Sequence, residues 1–330
     1  MEKKDHYSTI DPSRIESATA IINPVSSNVK KGLKRLRHLD RATPFEITKQ
    51  ETSRFDKITS GIIRGALEGS DLIILIGGDG VFNKVVRTIT SNGLSEEAKR
   101  VPILSLGGGG ADDGVKANHS KLYRRNPARI LEDGRIVETH PIRFEVRDIG
   151  AEDDEPLVYS AAFYASLGMT GLTSSERYLN NPRHRKFMGR WAVGRTVSEP
   201  VLAARSYYAS RINTVYQSGE ERQFFDEVFA NSSIMAKYLH FPTHLTEPEL
   251  FHTIIPSKNL FKFVGTALTS MNQSMLDGDY LPLGDKYEFV TMHDIPAQFD
   301  GEGEIIPSNS HVTVSQYEQP FNVVVSNPDL

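Results

Sequence analysis

The run "DLIILIGGDGVFNKVVRTI", residues 71–89, restricts the fold more than any other part of the chain. From Leu72 to Ile76 every residue is apolar, with no polar alternation. Such a strand is buried on both faces, so its sheet needs helices above and below it. The strand breaks into Gly77-Gly78-Asp79-Gly80, and "VFNKVVRTI" then resumes as a helix.

The neighbouring segments repeat this alternation. "ATAIINP" is a short β-branched strand ending in Asn-Pro. "SSNVKKGLKRLRHL" sets Val29, Leu33 and Leu36 at helical spacing, with Ser26, Ser27 or Asn28 available as the cap. "FDKITSGIIRGALEGS" is helical through Ile58, Ile62, Ile63 and Ala66, and "VPILSL" is a second buried strand. Strands separated by helices predict a parallel α/β sheet. Ligands of such sheets bind beyond the carboxyl ends of the strands. The loops "NPVSSN", "GGDG" and "GGGGADDG" all fall at those ends.

The second half differs. "RIVETHPIRFEVRD", "EPLVYSAAFYASLG", "INTVYQ", "RQFFDEVFANSS", "KYEFVTMHD", "AQFDGEG", "HVTVSQ" and "FNVVVS" are short and strand-like, with turn residues between them. They predict a mainly antiparallel β domain. The alternation stops between Glu138 and Phe144, which puts an α/β domain at 1–140 and a β-rich domain at 141–330. The last strand is free to return to the first domain.

Composition removes several function classes. The chain has no cysteine, which excludes disulfides, thiolate catalysis and Cys-based zinc sites. A net charge of -4 lacks the basic footprint of a nucleic-acid binder. The start, "MEKKDHYSTIDPSR", has no apolar core of a secretory signal, and no segment is apolar for the ~20 residues that span a bilayer. The expectation is a cytoplasmic protein without a transmembrane segment.

Glycine lets a backbone approach a phosphate closely, and the N–H groups of a following helix can cradle an anion. A carboxylate in such a loop repels phosphate directly. Asp79 therefore calls for a cation or a sugar hydroxyl, and Mg²⁺ on a nucleotide triphosphate meets both demands. The plainer reading is a tight turn with Asp79 as the helix cap. The P-loop pattern is absent, and no clean dinucleotide fingerprint appears.

In order along the chain, "IINPVSSN", "DLIILIGGDGVFNKVV", "VPILSLGGGGADDGVK", "FYASLGMTGLTSS", "EVFANSS", "DGDYLPLGDKYEFVTM" and "AQFDGEGE" resemble the motifs of the diacylglycerol kinase catalytic-domain family. That family includes bacterial lipid kinases and sphingosine kinases, and it shares a fold with NAD kinases. The resemblance implies an ATP-dependent kinase acting on a lipid hydroxyl, diacylglycerol or a sphingoid base, with Mg²⁺. It implies that Asn23, Gly78, Asp79, Gly80, Gly110, Asp112 and Asp113 surround the nucleotide, and that Asp79 holds its metal. Asp300 is implied as the general base and Glu302 as its support. Glu288, or less closely Asp285, matches an acidic position that the family can use for a structural Mg²⁺. "FDGEG" also reads as a hairpin turn, and both readings can hold at once.

The chain departs from the family pattern at several positions. Val81 stands for Thr, Lys84 for Glu, Ser27 for Gly, and Thr170 for Asp, while Gly110 to Asp113 replaces Thr-x-Asn-Asp. These changes keep two alternatives open: a soluble-substrate kinase of the NAD kinase type, and a catalytically silent nucleotide- or lipid-binding relative. Lys30 or Lys31 could supply a cation to phosphate. "NNPRHRKFMGRWAVGR" mixes Arg183, Arg185, Lys186 and Arg190 with Phe187, Met188 and Trp191. It reads either as an amphipathic helix on its own domain or as a contact with the inner membrane surface. The expected partner is a lipid at a membrane surface, and a homodimer is allowed.

Overall fold

The computed structural model describes residues 7–51, 59–91, 93–109, 112–150, 154–173, 205–235, 239–243, 245, 248–256, 258–259 and 278–326. The first part runs β1 (Tyr7–Thr9), β2 (Ser17–Ile22), α1 (Val29–Ala42), β3 (Glu46–Glu51), α2 (Ser60–Glu68), β4 (Leu72–Ile76), α3 (Asp79–Thr90), α4 (Glu96–Lys99) and β5 (Ile103–Ser105). It continues through α5 (Asp113–Asn118), α6 (Lys121–Arg125), α7 (Ala128–Asp133) and β6 (Arg135–Thr139).

Next come β7 (Ile142–Asp148), β8 (Leu157–Ala161), β9 (Tyr164–Gly168), β10 (Asn213–Gln217), β11 (Glu220–Phe224), β12 (Asp226–Ala230), β13 (Ile234–Met235) and β14 (Leu239–His240). The chain closes with β15 (Glu249–Ile255), β16 (Asp279–Pro282), β17 (Tyr287–Thr291), β18 (Ile295–Phe299), β19 (Glu302–Ile306), β20 (Ser310–Gln316) and β21 (Phe321–Val325).

The first sheet has the order β1-β6-β21-β5-β4-β2-β3. Strands β3, β2, β4, β5 and β21 are mutually parallel, and β1 and β6 form the antiparallel edge. This is the α/β architecture expected from the alternating segments. Strand β4 is buried at all of its positions, as its unbroken apolar run requires. One face packs on Leu36 and Leu39 of α1, and the other on Phe82, Val85 and Val86 of α3.

Thr59 caps α2 by accepting the Ile62 N–H at 3.4 Å. Asn28 holds the corresponding position before α1, but its side chain makes no cap bond there. The segment "NNPRHRKFMGRWAVGR" lies outside the described residues.

The remaining strands form two antiparallel sheets, β11-β10-β17-β20-β7-β8 and β16-β15-β12-β9-β18-β19. Their inner faces share one apolar core, built on Phe144, Phe224, Phe229, Phe289 and Phe299. Strand β7 shows the alternation that produces this packing: Ile142, Phe144 and Val146 point inward, and Arg143 and Glu145 do not.

The sandwich is joined to the first sheet by continuous packing. The Phe82 ring of α3 lies 4.6 Å from that of Phe163 and 5.8 Å from that of Phe321 on β21. The β18–β19 turn of the sandwich reaches the loop after β4, since a β-carbon on Gly80 would lie 3.2 Å from Glu302 Oε1.

Candidate active site

Three loops meet at the ends of β2, β4 and β5. Asn23 donates its N–H to the Ile76 carbonyl at 2.9 Å, and its side-chain oxygen accepts the Val25 N–H at 3.2 Å. Its side chain thus shapes its own loop. Gly78 ends the second loop in extended backbone just before α3. The N–H groups of Gly78, Asp79 and Gly80 meet no acceptor among the described residues. They open at the positive end of the α3 dipole, a favourable place for an anion.

Asp79 acts as a cap, but of a different helix from the one it begins. Its carboxylate accepts the N–H of Asp113 at 3.2 Å and of Gly114 at 3.0 Å, both at the start of α5. Asp112 adopts a left-handed backbone with φ 54° and folds back, accepting the N–H groups of Gly108 at 3.1 Å and Gly109 at 2.6 Å. Asp113 is fully buried, 3.8 Å from Lys116. Gly110 lies outside the described residues.

Asp300 and Glu302 arrive from the sandwich. Asp300 and Gly301 form the two-residue connection between β18 and β19, with φ of 50° and 83°. Positive φ at both central residues is the turn chemistry that Asp-Gly favours. The hairpin reading and the site reading therefore coincide.

The Asp300 side chain is buried and accepts three backbone N–H groups, from Ala162 at 2.6 Å and from Phe163 and Tyr164 at 3.0 Å. Glu302 reaches the second loop. A β-carbon added to Gly80 would sit 3.2 Å from its Oε1. Arg87 of α3 stands 3.8 Å from the other oxygen.

The carboxylates feel each other. Burial pushes Asp79 up to about 6, against the N–H groups of Gly114 and Asp113, and the Asp112 charge adds to the rise. Burial pushes Asp300 up to about 7, against its three N–H donors, and the Asp79 charge adds. Asp112 is also raised by burial, opposed by the Gly108 and Gly109 N–H groups and by the Arg35 guanidinium. Arg35 itself is buried behind the loop, donating to the carbonyls of Leu106 at 2.6 Å and Arg124 at 2.9 Å.

Among the described residues no three His, Asp or Glu side chains cluster to hold a metal. Magnesium is commonly bound by one or two carboxylates together with substrate phosphates. Asp79 fits that manner of binding as the one carboxylate of the loop, in the first turn of α3 where the leading N–H groups have no acceptor among the described residues. Glu288 is placed elsewhere, exposed on β17, where it accepts the Thr313 hydroxyl at 3.4 Å.

Two of the substituted positions, Val81 and Thr170, also have physical accounts. Val81 is buried in the core, and a β-carbon on Gly77 would lie 2.5 Å from its Cγ2. Its side chain therefore faces apolar packing. Thr170 donates its hydroxyl to Ser166 at 2.6 Å or to Asp226 at 2.9 Å, and burial pushes Asp226 up to about 7. Asn28, Arg35 and Arg87 carry no mark of a site role in the sequence. Their partners lie in distant segments, so no local spacing marks them.

Residues 17–143 match the diacylglycerol kinase catalytic domain. No curated protein matches the chain in sequence. Two Bacillus anthracis strain Sterne proteins share its fold. One, described as a candidate diacylglycerol kinase, has a TM-score of 0.64 at 12% identity, covering 96% of this chain and 99% of that one. The other, described as a diacylglycerol kinase, has a TM-score of 0.60 at 12% identity, covering 96% and 98%. Yeast NADH kinase in complex with NADH has a TM-score of 0.51 at 10% identity, covering 99% and 88%.

Proposed function

We propose, on the premise that residues 17–143 form a diacylglycerol kinase catalytic domain, that this protein is an ATP-dependent kinase that phosphorylates a lipid hydroxyl. The observation that carries the reading is the meeting of the Asp300–Glu302 turn of the sandwich with the glycine loop after β4, where a β-carbon on Gly80 would lie 3.2 Å from Glu302 Oε1. Asp300, raised towards neutrality, then stands on the turn that meets the start of α3, where the N–H groups of Gly78, Asp79 and Gly80 have no acceptor among the described residues. Residues 1–140 form the nucleotide domain in this reading and residues 141–330 the substrate domain, with β21 inserted into the first sheet.

Phosphoryl transfer depends mainly on positioning and on neutralising charge, with a carboxylate to orient the attacking oxygen. The N–H groups of Gly78, Asp79 and Gly80 bind the phosphates. Asp79 would hold Mg²⁺ together with those phosphates, and the ion would supply neutralising charge there. Asp300 accepts the proton of the acceptor hydroxyl. Its ionised form is held in place by three N–H groups, so little reorganisation is needed. Glu302, beside Gly80 and Arg87, stands at the same helix start. Asn23, Asp112 and Asp113 act through the loops that they shape.

The acceptor reaches the site at a membrane surface. No helix among the described residues is long and apolar enough to cross a membrane. The test is transfer from labelled ATP with Mg²⁺ to a panel of lipids in mixed micelles, with NAD as a soluble control. Lipid product that disappears in Asp300→Asn is the expected result. Product on NAD alone would move the acceptor to a soluble molecule. Nucleotide binding without any product would overturn the kinase activity.

A further inference from the structure

The Gly108–Gly109 pair at the end of β5 has all four of its polar backbone groups turned inward. Both N–H groups go to Asp112, at 3.1 and 2.6 Å. Both carbonyls go to Asn28. The Asn28 N–H donates to Gly108 at 2.8 Å, and its side-chain amide donates to Gly109 at 2.7 Å. Asn28 sits where a helix cap belongs, with no side-chain cap bond to α1. Its amide is used on the second glycine loop instead.

The placement of this pair matters because it touches the first glycine loop. A β-carbon on Gly109 would lie 2.4 Å from the Gly78 Cα and 3.1 Å from the Gly78 nitrogen. The Gly109 position therefore sets one wall of the space in front of the open N–H groups of Gly78, Asp79 and Gly80. A carbonyl oxygen turned into that space would repel a phosphate. Neither glycine has a free N–H to offer in compensation.

We infer that Asn28 is a positioning residue for the nucleotide: its two donors hold the Gly108 and Gly109 carbonyls away from the phosphates and keep the second glycine loop seated on Gly78. This rests on the nucleotide-binding reading above. The phosphates then meet only the donors at the start of α3. Asn28→Asp keeps the shape but replaces the amide donor with a negative charge. Asn28→Ala removes the donor without adding charge. Asn28→Gln retains an amide.

The probe is MgATP, measured by isothermal titration on the full chain, with melting temperature recorded for each variant. The expected Kd rises about tenfold in Asn28→Ala, near the upper range for one hydrogen bond, and further in Asn28→Asp. In the transfer assay KM for ATP rises while kcat stays near wild type. Asn28→Gln recovers part of the affinity, and it replaces Asn28→Asp as the decisive comparison if the latter fails to fold.

A purely structural role would lower the melting temperature and leave the affinity of the folded protein unchanged, which would overturn the inference. Wild-type affinity in Asn28→Ala would overturn it too, with the nucleotide reading intact. Wild-type protein that binds no MgATP would overturn the nucleotide reading and the inference with it.

Discussion

Gly109 and Gly78 touch backbone to backbone, since a β-carbon on Gly109 would fall 2.4 Å from the Gly78 Cα. Two loops from different strands are thereby held as one surface. The same surface is braced from behind, where a β-carbon on Gly32 of α1 would lie 2.4 Å from the Gly107 carbonyl oxygen. The open N–H groups at the start of α3 owe their placement to these close approaches.

Gly109→Ala should therefore damage both stability and nucleotide binding. The obstacle is backbone, so no side chain can rotate aside to make room. Overpacking of this kind costs roughly 1–3 kcal/mol. Urea unfolding measures the loss, and MgATP titration measures the weakened site. Unchanged affinity in the folded variant would show that the loop contact does not shape the site.

Asp300 should impose a pH limb on the reaction. Burial raises its carboxyl to about 7, and a general base works only when ionised. The rate should climb as pH rises through about 7 and then level off. One unit below that point, about a tenth of the base is ionised. The measurement is kcat/KM against pH for transfer from labelled ATP, with Asp300→Asn flat and low. A wild-type profile without a limb between pH 6 and 8 would remove Asp300 from the base role.

Glu227 should be a main support of the sandwich. It is fully buried and accepts His252 at 2.7 Å, Tyr287 at 2.6 Å and Arg222 at 3.1 Å. These partners hold its carboxyl below the usual range even though burial pulls it the other way. Tyr287→Phe removes one hydrogen bond to a charged group and should cost about 1.5–3 kcal/mol. Glu227→Ala strands the partners and should cost about 3–5 kcal/mol. Denaturant unfolding checks both, and equal small losses would show that the cluster contributes little.

His119 should make the protein acid-sensitive. Burial, then the charges of Arg35 and Arg124, lower its imidazole from 6.5 to about 3. Between those values only the unfolded chain takes up the proton. Stability is full above pH 6.5 and falls by about 1.4 kcal/mol for each unit below it, down towards pH 3. His119→Gln loses the 2.8 Å contact with Ser326 but also loses this dependence. The stability gap between wild type and variant should narrow from pH 7.5 to pH 5.5. A constant gap would show that His119 stays accessible to protons in the fold.

Much of the architecture was legible in residue order alone. The apolar run of β4, the Gly-Gly-Asp-Gly break and the α3 pattern determine a buried parallel strand feeding a helix, because burial on two faces and helical spacing are local properties. The Asp300-Gly301 turn was legible for the same reason, since its backbone preference belongs to those two residues.

Only the tertiary structure decided which partners the site residues take. It turned Asp79 onto the start of α5 instead of its own helix, carried Asn28 to Gly109, and brought Glu302 up to Gly80. It also inserted β21 between β5 and β6. Each of these joins segments far apart in the chain. They depend on how buried faces stack, which is a property of the packed core and is carried by no single stretch of sequence.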